Sequence, residues 1–105
     1  MLEVTCTNEQ KIKITANPVT ATGKLVALDG ALSILVQSGD GNILMEGDNA
    51  FWVISGDNPG DTTYLVSGDA DLGDGVETIS DIVILHVEGA KAVNLGLYAE
   101  APVPK

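Results

Sequence analysis

Lys11-Ile12-Lys13-Ile14-Thr15-Ala16, followed at once by Asn17-Pro18, is the stretch that decides the fold class. Apolar and polar residues alternate with a period of two, which sets Ile12, Ile14 and Ala16 on one face of an extended chain and the lysines on the other. Proline lacks the N–H that a ladder needs, so Asn17-Pro18 ends the run. The same reading carries outward to strands at 24–28, 31–37, 42–46, 50–55, 62–68, 78–88 and 92–99. In the last of these, Val93, Leu95, Leu97 and Ala99 alternate with Ala92, Asn94, Gly96 and Tyr98. Only 31–37 is open to a helical reading; it is short, walled by Gly30 and Gly39, and its Ile34 and Val36 favour a strand.

Turns punctuate these runs. Ser-Gly-Asp recurs at 38–40, 55–57 and 67–69, and Glu-Gly-Asp stands at 46–48, so the offsets are 8, 9 and 12 residues. That is hairpin spacing for a sandwich or barrel, not a solenoid period. Glycine supplies positive φ and aspartate bonds its own turn backbone, which gives much of the acid excess a structural cause. Ile82-Val83-Ile84-Leu85 is apolar on both faces and bracketed by Asp81 and Glu88, the pattern of a central strand with charged gatekeepers. The 105 residues suit one domain with one core, and with only four aromatic residues that core is aliphatic and β-branched. The expectation is therefore an all-β single domain.

The charge is unevenly placed. Residues 25–90 hold twelve acids and no base, while 1–24 and 91–105 each carry a net +1, giving −10 overall. Such a field repels phosphate backbones and anionic lipid, so no nucleic-acid or membrane partner is expected. The N-terminus has neither a basic nor an apolar region of a secretory signal, and the lone Cys6 excludes an internal disulfide. Folding in a reducing cytoplasm follows as the simplest reading.

Chemistry-bearing residues are few. The acidic run Asp69-Ala70-Asp71-Leu72-Gly73-Asp74-Gly75 invites a calcium reading, but counting from Asp69 puts Gly73 at position 5, Asp74 at 6 and Ser80 at 12. This fails the EF-hand rule and leaves only an irregular set of Asp69, Asp71 and Asp74; a polar loop between long strands is the better reading. His86, the only histidine, sits in the most apolar strand with no acid at a helpful local spacing, so it reads as a partly buried structural residue. Cys6 has no nucleophile signature around it, and no phosphate loop, CxxC or HExxH is present. No catalytic residue and no cofactor are expected. Phe51 and Trp52 are adjacent, so in a strand one fills the core and the other faces outward, where it can anchor a partner or a sugar ring.

Asn17-Pro18-Val19, Asp29-Gly30, the Ser-Gly-Asp turns, the run from Gly60-Asp61-Thr62-Thr63-Tyr64 to Gly68-Asp69-Ala70-Asp71, and the closing Val87-Glu88-Gly89 together resemble bacterial immunoglobulin-like domains. The chain departs from that pattern in lacking an early-strand Trp and a disulfide pair. The resemblance implies an immunoglobulin-like antiparallel sandwich over 10–99, an N-terminal arm or edge strand over 1–9, and a proline-containing arm over 100–105. Starting at Met1 without a signal and ending in Ala101-Pro102-Val103-Pro104-Lys105, the chain reads as a complete short frame. Among the settings of such domains this favours an accessory protein of a tailed-phage virion, a capsid decoration or head-fibre protein made in the host cytoplasm and docked on capsid subunits. The alternative is a module of a bacterial surface protein that binds carbohydrate or another host ligand. Partner contacts are expected at Leu2, Val4, Trp52, Pro102, Val103 and Pro104, with a homo-oligomer as a further expectation.

Overall fold

The computed structural model describes residues 1–105 and is all-β. Its strands are β1 (Leu2–Thr7), β2 (Lys11–Thr15), β3 (Ala27–Leu28), β4 (Ser33–Ser38), β5 (Asn42–Met45), β6 (Ala50–Ile54), β7 (Gly60–Asp71) and β8 (Val76–Glu88). No helix is long and apolar enough to cross a membrane.

Two sheets share one core. In the larger, β8 lies between β1 and β7, and both β3 and β4 pair with the far side of β7; the smaller runs β2-β6-β5. Alternation aims Phe51 and Val53 of β6 at Tyr64 of β7 and at Val83, Leu85 and Val87 of β8, with Cys6 and Leu32 completing the buried cluster. Burying an apolar side chain of this size contributes roughly 1.5–3 kcal/mol. Only 12 of 105 residues are buried, so few contacts carry the stability. Ile82–Leu85 does occupy a central strand, with Ile82 paired to Leu65 on one side and Val83 to both Leu2 and Tyr64.

Several sequence expectations need correction. Segment 92–99 is not a strand: everything after Glu88 lies outside the sheets, with Val93 90%, Leu95 87% and Leu97 86% exposed. The alternation was sound, but β1 takes one edge of β8 from Val83 to Glu88 and β7 takes the other. A returning chain finds no free edge beside the end of β8. The third Ser-Gly-Asp, at 67–69, is no turn either; it runs straight through β7, where Gly68 pairs with Ile79. The strand expected at 24–28 shrinks to β3, because Val19 bridges Leu25 and Thr20 accepts the Gly23 N–H in a small hairpin. Finally, the sheets are not wholly antiparallel. β1 runs parallel to β8, as an edge strand.

The molecule measures 83 × 26 × 22 Å with a radius of gyration of 20.2 Å. A compact chain of this length would have roughly 13 Å. Two features depart from a compact body, the long β7–β8 hairpin, exposed throughout residues 71–81, and the exposed arm that leaves β8 at Gly89.

Candidate interaction surfaces

On the outer face of the small sheet, β6 presents Trp52 between Lys13 of β2 and Leu44 of β5. Phe51 is buried and Trp52 half-buried, which is the split that adjacent strand residues require. Lys11 lays its ammonium 4.5 Å from the indole centroid, attracted by the ring's negative face. Lys13 pairs with Glu46 at 2.7 Å, and this hydrogen bond holds the Glu46 carboxyl below its ordinary range. The face is an aromatic platform with Leu44 55% exposed beside it and the lysines of β2 along its margin. Sugar rings and flat apolar side chains stack on such surfaces.

The terminal residues divide. Leu2 is 44% exposed, but Val4 packs against the core, so its part is to hold β1 on the sheet. Pro102, Val103 and Pro104 are exposed in the arm.

The acidic run does not converge. Asp69 and Asp71 belong to β7, where Asp69 accepts the Thr78 hydroxyl at 2.7 Å and Asp71 accepts the Gly73 N–H at 2.9 Å. Asp74 lies in the turn between β7 and β8, and no group of three or more His, Cys, Asp or Glu side chains is placed to hold a metal ion. Burial pushes the Cys6 thiol above its ordinary pKa, which disfavours the reactive thiolate.

His86 is the residue that local spacing undersold. Three adjacent strands put it between two acids: Nδ1 lies 2.7 Å from Asp61 of β7 and Nε2 3.2 Å from Glu3 of β1. Only the strand order, which joins residues 83 and 25 positions apart, brings them together. The ring nitrogens point in opposite directions, so the trio suits a protonated imidazolium clamped at both ends and not a metal. The Asp61 hydrogen bond first, and Glu3 second, raise the His86 pKa above 6.5. A raised folded-state pKa gives stability that is complete below the unfolded value of about 6.5 and is lost as pH rises through the folded value. The melting temperature should therefore drop across that window, and His86→Gln should flatten the drop. A wild-type profile indistinguishable from that of His86→Gln between pH 5.5 and 8.5 would refute the clamp.

No protein-family model matches the chain, and no curated protein matches it.

Proposed function

We propose that the chain is an immunoglobulin-like assembly module without a catalytic role, serving as an accessory virion protein, a capsid decoration or head-fibre component, that docks on other virion subunits. The strand order supports the fold part of this reading. In immunoglobulin-like sandwiches one sheet contains strands C, F and G and the other B, E and D. Here β4-β7-β8 and β2-β6-β5 take those places in the same chain order, while β1 has moved beside β8. The observation that carries the functional part is the arm after Glu88, which past the Ala90 N–H bond to Asn8 is exposed at every residue. An ordering cost for such a segment is offset only when a partner covers it.

The test is to express a tagged chain in a lysogenic host, induce, and purify particles on a density gradient. The protein is expected to co-sediment with particles and to stay bound at several hundred millimolar salt, where the Debye length is only a few ångströms. Removing residues 101–105 should weaken retention without lowering the melting temperature. Recovery of the protein solely in particle-free fractions would overturn the reading.

The Trp52 platform favours one second reading, a surface module that binds carbohydrate. Glycan-array binding by the wild type, abolished in a folded Trp52→Ala variant, would put this reading first. Silence of the wild type across the array removes it.

A further inference from the structure

The larger sheet has a half-finished edge. β8 pairs with β7 from Val76 to Val87, whereas β1 covers it only from Val83 to Glu88. Where β1 stops, Asp81 takes the Ile82 N–H on its own carboxylate at 2.7 Å and pairs with the Met1 ammonium at 2.8 Å, so the chain's own N-terminus ends beside it. Residues 76–81 are thus exposed along the side that β1 would continue, and an unpaired strand edge is a template for another strand. Beside this edge opens a cleft of about 330 Å³, lined by Val19, Leu28, Leu32, Val66, Ile79 and Asp81. Val76 is 53% and Ile79 43% exposed.

The same chain carries an unused strand. Residues 92–99 alternate as an amphipathic strand does, with Val93, Leu95 and Leu97 on one side and nearly bare. We propose that this segment, from one molecule, completes the sheet of a second copy by pairing along residues 76–81 of its β8 and seating Val93, Leu95 and Leu97 toward the cleft. The inference goes beyond the virion reading and holds whatever larger body the chain joins.

Three observations point to a second copy as the occupant. The first is reach. About 23 Å of strand separates Glu88 from Asp81, yet residues 89–91 span only about 10 Å, and β1 blocks the way back along the edge. The second is charge. The acid-only stretch 25–90 includes Glu77 of the acceptor edge, where Asp81 is already paired with the Met1 ammonium, while the arm from 91 to 105 carries a net +1 from Lys91 and Lys105 against Glu100. The third is length, since residues 92–99 span the six-residue edge with little to spare. In the free arm Gly96 has φ +64° and donates its N–H to Asn94 at 2.8 Å, which bends the segment. Pairing straightens that bend, and glycine alone adopts either conformation without a Cβ penalty. Backbone bonds then supply affinity and the alternate side chains supply register.

Multi-angle light scattering of the full chain over a wide concentration range tests this. Self-association is expected, weakened on the order of tenfold or more by Leu95→Asp in the arm or by Ile79→Asp in the acceptor. Both positions are exposed enough that each variant should keep the wild-type circular dichroism and melt. The decisive arm mixes the two: Leu95→Asp retains a sound acceptor and Ile79→Asp a sound arm, so the mixture should form heterodimers that neither forms alone. A wild type that stays monomeric at every concentration overturns the proposal. So does a Leu95→Asp variant that associates as tightly as wild type, or a mixture that recovers no association.

Discussion

Tyr64→Ala is expected to destabilise the fold by about 3–5 kcal/mol, the usual range for removing a buried aromatic ring. Tyr64 is fully buried and the largest of the side chains that are. It sits in β7 between Val36 of β4 and Val83 of β8, and its ring reaches the core shared with Phe51 and Val53 of the other sheet. Its hydroxyl donates to the Asn42 carbonyl at 3.0 Å, which ties β7 to the start of β5 across the two sheets. Burial pushes the phenol pKa up to about 12, so the donor proton stays in place at every working pH. Tyr64→Phe keeps the ring and forfeits only this bond, at about 1 kcal/mol. Urea unfolding of the three proteins separates the contributions. With so few buried residues, the alanine variant should be largely unfolded where the phenylalanine variant still shows a cooperative transition. Equal midpoints for the two variants would mean that the ring does not join the sheets.

The strands of this fold were readable wherever one face is buried, because burial is what imposes the period. Lys11–Thr15 keeps its lysines out and Ile12 and Ile14 toward the core, and Phe51 and Trp52 divide as strand geometry demands. Segment 92–99 shows the limit of that argument. Its pattern is as regular as that of β2, but a pattern states what a strand could bury and not whether an edge is open to receive it. The His86 clamp was hidden for a different reason. Asp61 meets His86 through the antiparallel pairing of β7 with β8, Glu3 reaches it through the parallel pairing of β1 with β8, and no local spacing encodes a pairing between the two ends of a chain. The Ser-Gly-Asp repeats are the plainest case of context overriding chemistry. Gly39 adopts φ +93°, Gly56 stays outside the positive-φ set, and Gly68 lies in mid-strand. One tripeptide takes three conformations because β7 continues to pair through 67–69, while the chain at 38–40 has to leave β4.

That departure makes Gly39→Ala the second large effect. The ladder between β4 and β7 slips between Val36 and Ser38, and the chain then folds down over Thr62, whose hydroxyl accepts the Gly41 N–H at 3.1 Å. A Cβ on Gly39 would stand 2.6 Å from the Asp61 carbonyl oxygen and 2.7 Å from the Thr62 Cα. Both are backbone atoms of a paired strand and cannot swing aside as the end of a side chain could. Left-handed φ costs a non-glycine residue about 1–2 kcal/mol, and forcing extra volume into packed structure about 1–3 kcal/mol more. Gly30 supplies the control: its φ of +90° is nearly the same, but nothing lies within 4 Å of its Cβ position. Gly30→Ala should therefore show the conformational cost alone, and Gly39→Ala that cost plus the clash, a further loss on the order of 2 kcal/mol. Denaturant midpoints of the two variants measure the difference directly. If the two lose the same stability, the loop does not press on Thr62 as closely as its geometry requires, and the bulge at Val36 and Ser38 is free to absorb a methyl group.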